Sequence, residues 1–177
     1  MKEAIDVLVK LAQGQVGTRE GPIQNTGKRV VEYQGATWLQ PGAWPWCAAF
    51  TCWLMREWVE EDAVREAIQL RARLPKPLTP AQIEKIRCRD ASAFGWEKWA
   101  KSLGVAVLSE DKLAKAGDFV IYDFSHIGLV VKDQAKITDD IHTIEGNTNK
   151  KGEREGDGVW EKTRNPSLTK CYVRIFS

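Results

Sequence analysis

The chain predicts an α+β fold, with helices in its N-terminal half and an antiparallel sheet in its C-terminal half. Up to about residue 103, apolar residues recur at helical spacing. After Gly104 the periodicity changes to short β-type runs bounded by turn residues. Helices first and hairpin-connected strands afterwards is the α+β pattern.

Lys2 to Gln13 read as an amphipathic helix with Ala4, Ile5, Val7, Leu8, Leu11 and Ala12 as its apolar stripe, ended by Gly14 and Gly17. From Thr18 to Gly42 the chain is rich in Gly, Asn and Gln, with Pro22 and Pro41 as breakers; only a short helix at Lys28 to Tyr33 is expected. So long an irregular stretch inside a domain suits a cleft wall. A helix starting at Cys47 is expected to run through Trp58 and on towards Leu74, where Pro75 and Pro77 stop it. Thr79 and Pro80 start another helix as N-cap and first helical residue. Asp90 or Ser92 begins the next, with Phe94, Trp96, Trp99, Ala100 and Leu103 facing inward and Gly104 closing it. The strands expected are Asp118 to Asp123, His126 to Val131, Ile137 to Ile144, Val159 to Thr163 and Cys171 to Phe176.

At 177 residues the chain suits a single domain spanning 1–177, with a helical insertion at about residues 60–89 that could shape substrate choice or bind a partner. The net charge is +2 with both signs interspersed, and no Lys/Arg run points to nucleic acid. The N-terminus is charged and lacks the apolar core of a signal peptide, and no segment is apolar enough to span a membrane. Synthesis in the cytoplasm is therefore expected, with delivery by another factor for any action elsewhere. The four cysteines, Cys47, Cys52, Cys88 and Cys171, include no CxxC pair, and the two histidines complete no zinc spacing. Free thiols are the default, and neither a metal nor a cofactor is expected.

The chemistry centres on Trp44-Pro45-Trp46-Cys47-Ala48-Ala49-Phe50. A Pro-containing turn running into an apolar helix places Cys47 in the first helical turn. There, unsatisfied backbone N–H groups and the positive end of the helix dipole favour a thiolate, the nucleophilic form. A buried structural cysteine is the commoner fate of this residue type, so the case needs a base and a group to orient it. Of the two histidines, His126 opens a strand after a tight turn, and Gly128 on the same face leaves room beside its ring. His142 sits inside the third strand. That strand ends in Thr143-Ile144-Glu145-Gly146-Asn147-Thr148, from which Glu145 or Asn147 could fix the imidazole tautomer. Trp38, Trp44, Trp46 and Trp53 lie near Cys47 in sequence and could line a cleft or fill the core.

Taken in order, PWCAAF at a helix start, GDFVIY followed by SHIGLVV, and TIEGNTN resemble the CHAP family of cysteine, histidine-dependent amidohydrolases and peptidases. The early Gly17-Thr18-Arg19-Glu20 and Asn25 are similar to an N-terminal segment of one of its subgroups. The resemblance covers most of the chain. It implies a papain-like core with Cys47 as nucleophile, His126 as base, Glu145 as orienting acid and Asn147 as an additional polar site residue. It implies a peptidoglycan hydrolase of the phage endolysin or bacterial wall-hydrolase kind, a monomer acting on wall peptide at the cell wall or in the periplasm. The bond cut would be muramoyl–L-alanine or one in the stem peptide and cross-bridge. Many members carry Gln before the cysteine, where this chain has Trp46. The Cys47 N–H is then the first oxyanion donor, with Gln34, Gln40 or Asn25 as candidates for a second. The competing readings are a cysteine protease or acyltransferase for another substrate, and a wall-binding or virion structural module without chemistry.

The two histidines separate in a simple test. His126→Ala is expected to abolish turnover with the fold intact, and His142→Ala to cost stability at most. A folded but inactive His142→Ala protein would overturn the choice of base.

Overall fold

A computed structural model describes residues 1–176. Six α-helices precede six strands within that range: α1 (Lys2–Gln13), α2 (Lys28–Gln34), α3 (Cys47–Trp58), α4 (Asp62–Ala72), α5 (Pro80–Ile86) and α6 (Ala93–Ser102), then β1 (Ala106–Ser109), β2 (Phe119–Tyr122), β3 (His126–Val130), β4 (Ile141–Thr148), β5 (Gly158–Arg164) and β6 (Thr169–Arg174). The strands form one sheet in the order β1-β6-β2-β3-β4-β5, antiparallel at every pairing. The fold is α+β.

The local signals act as their chemistry dictates. Ala4, Leu8 and Ala12 carry the buried stripe of α1. Thr79 and Gln82 close a reciprocal capping box at the start of α5, with Pro80 behind it. Gly104, with φ of +68°, turns the chain from α6 towards β1.

The differences also have local causes. No helix runs from Cys47 to Leu74: α3 stops at Trp58, and Glu61 is extended ahead of α4. The break folds α4 back onto α1 and lets it bury Val64 and Ala67. Trp58 is held at the break by its indole N–H, which donates to the Ala4 carbonyl at 2.6 Å. Leu103 lies beyond the last turn of α6 and is 47% exposed, so it does not pack inward. The edge strand β1 was not expected; its four residues, three half-buried and Ser109 exposed, are too few to show an alternation. The third expected strand is displaced to Ile141–Thr148 because residues 136–139 close a turn, in which the Asp139 N–H donates to the Lys136 carbonyl and the Asp139 carboxylate accepts the Lys136 N–H.

Helix α3 is the buried centre of the molecule. Every side chain from Cys47 to Met55 is buried, and the helix packs on α1 and α2 on one side and on β3 and β4 on the other. Two glycines allow the close contact with the sheet and within it. A Cβ at Gly146 would stand 2.7 Å from Cβ of Phe50 and 2.8 Å from the Trp46 ring. A Cβ at Gly128 would stand 2.6 Å from Cγ of Glu145. Strand β4 also carries a bulge: Glu145 pairs with Trp160, but the next pair is Thr148 with Gly158. Inside the bulge Asn147 takes a φ of +56°, a left-handed conformation that Asn tolerates better than most residues.

Gly146→Ala is expected to destabilise the protein by about 1–3 kcal/mol, the usual cost of forcing a methyl group into a packed core. Urea unfolding would read this as a lower midpoint with an unchanged slope; an unaltered midpoint would refute the role given to this close approach.

Candidate active site

Cys47 is the first residue of α3 and is 7% exposed. Its own N–H makes no hydrogen bond among the described residues, as expected in the first turn of a helix. Burial pushes the thiol pKa up. The positive charge of His126 more than reverses this, helped by the N–H groups of Ala48 and Ile127, and the pKa ends below its ordinary value. The helix start that favours a thiolate in the sequence is thus joined by a cation from β3.

His126 and Glu145 are both fully buried. The imidazole Nε2–H donates to Oε2 of Glu145 at 3.0 Å. Its other nitrogen, Nδ1, has no hydrogen-bond partner among the described residues and is the one available to the thiol. The sulfur and the ring act on each other both through charge and through a side-chain contact. Burial pulls the His126 pKa down, but the Cys47 sulfur and the Glu145 carboxylate raise it to about 9. The shifts are opposite and mutual, each group favouring the charged form of the other. The ring is also stacked: Phe124 lies 5.7 Å from it at 12°, and Tyr122 stacks on Phe124 at 5.3 Å.

Glu145 is the hub. Its Oε1 accepts from Thr143 Oγ1 at 2.7 Å, Arg164 Nε at 3.0 Å and the Tyr122 hydroxyl at 3.1 Å. Its Oε2 accepts from Arg164 Nη2 as well as from His126. Burial would push the carboxyl pKa up; the Arg164 hydrogen bonds and the charged His126 drive it far below the usual carboxylate range. The sequence pointed to Glu145 but not to Arg164, Tyr122 or Thr143. Thr143 was open to inference, since it sits two residues before Glu145 on the same strand face. Arg164 was not: it reaches Glu145 only through the pairing of β5 with β4.

Asn147 does something different. Among the described residues its side chain makes no hydrogen bond to His126. Its Oδ1 accepts the Trp46 backbone N–H at 3.0 Å, and its Nδ2 donates to Asn25 Oδ1 at 3.0 Å, to the Gly156 carbonyl at 3.2 Å and to Glu20 Oε1 at 3.3 Å. Glu20 also accepts the Trp46 indole N–H at 2.7 Å and the Asn25 N–H at 2.9 Å. Asn147, Glu20 and Asn25 therefore hold the residue immediately before Cys47. Of the candidates for a second oxyanion donor, Asn25 belongs to this network. Gln34 donates its amide to the carbonyls of Gly42 and Trp44 and accepts the Gly42 N–H, which shapes the turn before the nucleophile. Gln40 is exposed and its carbonyl accepts the Trp44 indole N–H. His142 is exposed on β4, apart from all of this.

Cys47 and Asn147 line an open cleft of about 360 Å³ with Trp38, Trp44, Ser125 and Arg154. Trp38 is 59% exposed, whereas Trp46 and Trp53 are core residues. Arg154, on the β4–β5 loop, is exposed and forms no ion pair among the described residues. Among the described residues, no three His, Cys, Asp or Glu side chains are grouped to hold a metal ion, and no helix is long and apolar enough to cross a membrane. No family profile matches the chain and no curated protein matches it, so geometry carries the case for its chemistry.

Cys47 is expected to alkylate with iodoacetamide at neutral pH ahead of Cys52, whose thiol burial pushes well up, and of Cys171, pushed up to about 11 by burial. The imidazolium that sustains the thiolate persists as pH rises until about 9. His126→Ala removes the cation and leaves burial opposed only by the Ala48 and Ile127 N–H groups, so its rate at pH 7 should fall by about tenfold for each unit the pKa climbs. Peptide mapping of the label checks this; preferential labelling of another cysteine would overturn it.

Proposed function

We propose that the chain is a cysteine amide hydrolase of the CHAP type, with a papain-like core, acting on peptidoglycan peptide. The observation that carries the reading is the buried relay from Cys47 at a helix start, through His126, to a Glu145 locked by Arg164. Each group has the shift its role needs: thiol down, imidazole up, carboxyl down. A structural cysteine needs none of these partners, and a binding module would have no use for a fully buried charged relay.

The reaction is acyl transfer. The Cys47 thiolate attacks a substrate amide carbonyl and forms a C–S bond. The oxyanion that develops is met by the unbonded Cys47 N–H at the positive end of α3. The His126 imidazolium gives its Nδ1 proton to the leaving nitrogen as the C–N bond breaks. Now neutral, the ring takes a proton from water as the water oxygen attacks the thioester; the C–S bond breaks and releases the acid, leaving Cys47 thiolate and His126 imidazolium. Throughout, Glu145 acts through His126. It fixes the tautomer with hydrogen on Nε2 and stabilises the ring's positive charge. Asn147 acts through Trp46, by fixing the turn from which the nucleophile helix starts.

Digestion of purified cell walls followed by mass spectrometry of the muropeptides tests the reading directly. New amine and carboxyl ends at a muramoyl–L-alanine, stem or cross-bridge amide are expected from the native protein and none from Cys47→Ala. Intact walls after incubation with a protein whose Cys47 alkylates normally would sink the peptidoglycan assignment.

Glu145→Gln is expected to keep substrate affinity and lose about 100-fold in turnover, since a neutral amide orients the ring but stabilises the imidazolium far less. Its Cys47 alkylation profile should shift to higher pH, which a purely structural role for Glu145 would not cause. Asn147→Ala is expected to be milder. Near-normal lysis by Glu145→Gln beside an inactive Asn147→Ala would reverse the two assignments.

A further inference from the structure

The segment around α5 and the start of α6 builds a second groove beside the nucleophile cleft. It has a volume of about 510 Å³ and is lined by Lys85, Arg89, Lys98, Trp99 and Trp38, among others. Trp38 and Asp90 belong to both this groove and the Cys47 cleft, so the two are contiguous. The frame is fixed by hydrogen bonds. The Arg87 guanidinium, buried in the floor, donates to the Ala36 carbonyl at 2.7 Å and to that of Cys88 at 3.2 Å. The Trp38 N–H donates to the Arg89 carbonyl at 3.1 Å, and the Trp99 indole N–H to the Ile86 carbonyl at 2.7 Å.

The charges of this groove do not cancel. Glu84 pairs with Arg87 and, at 3.5 Å, with Arg89. Asp90 turns one carboxylate oxygen to the Ser92 N–H. Glu97, on the same helix as Lys98, pairs with Lys101 and Lys170 instead. Lys85 and Lys98 are exposed and have no ion pair or hydrogen bond among the described residues. Two uncompensated ammonium groups thus stand in the groove, separated from the thiol by the exposed face of Trp38.

We infer that this groove seats a carboxylate-bearing arm of the substrate peptide while the scissile amide lies over Cys47. The inference rests on the amide-hydrolase reading above and names the part of the substrate that the groove recognises. The chain between the two points crosses Trp38, whose flat apolar face suits a peptide backbone or side-chain methylenes. A phosphate polymer is the less fitting occupant. It carries a charge at every repeat and calls for a continuous cationic track, whereas the groove offers two free cations.

The test uses Cys47→Ala protein, which binds without turnover, and two synthetic stem peptides, one with free carboxylates and one with all of them amidated. By calorimetry at low salt the free acid should bind about three- to tenfold more tightly than the amide, the size expected from two solvent-exposed ion pairs. High salt should erase the preference. In Cys47→Ala/Lys85→Gln/Lys98→Gln the ratio should fall to about one, with thermal unfolding unchanged. Equal affinities at low salt, a preference that survives the lysine substitutions, or no binding of either peptide would each overturn the inference. So would tighter binding of poly(glycerol phosphate) than of the free-acid peptide. Wall digestion by the active protein, run in parallel, keeps the two ideas apart. Digestion without a carboxylate preference removes only the groove, whereas a lysine-dependent preference without digestion removes the hydrolase, and with it the placing of a scissile amide over Cys47, and leaves a carboxylate-binding groove.

Discussion

A carboxylate with no exposed surface must be compensated or the fold will not tolerate it, and the Glu145 carboxylate imposes that demand on this protein. Five hydrogen bonds meet it, from His126, Thr143, Tyr122 and twice from Arg164. The donors come from β2, β3, β4 and β5, so four adjacent strands are organised around one charge. Replacing a buried pair by apolar groups often stabilises a protein. Its presence here makes more sense as a device that fixes one tautomer and one ring position than as a source of stability.

The Arg164 contact also sets the electrostatics beyond Glu145. Without a second cation, a buried carboxylate beside His126 would be held charged by the imidazolium alone. With Arg164 bound through two nitrogens, Glu145 has a second source of positive charge that does not depend on the protonation of His126. The guanidinium in turn lies 5.6 Å from the Tyr122 and Phe124 ring centroids, on the aromatic stack that ends at His126.

Much of this was legible in the sequence because the decisive signals are local. Pro45 before an apolar helix placed Cys47; Gly128 left room beside His126, and it is the Glu145 side chain that uses the room; the polar end of the third strand offered Glu145 and Asn147 as partners for the ring. What stayed hidden depends on pairing between distant segments. Arg164 enters through the β4–β5 register, and the break after Trp58 exists because α4 folds back onto α1. The role of Asn147 was hidden for a third reason. A strand pattern gives side-chain direction only while alternation holds, and the bulge at residues 146–147 turns Asn147 away from His126 and back to the backbone of Trp46.

The order of the sheet has a consequence for how the molecule comes to exist. Strand β6 lies between β1 and β2, so those two never touch each other and are joined only by a segment made about fifty residues after the end of β2. Until residue 174 has left the ribosome, β1 has no partner and β2 presents a bare edge on that side. An emerging chain is therefore an incomplete sheet with an open seam, prone to pairing with neighbours. The hydrogen bonds to Glu145 span β2 through β5, and the free edge of β2 in that array is covered only by that late strand. The sheet that carries His126 and Glu145 is thus complete only when synthesis has passed the last strand.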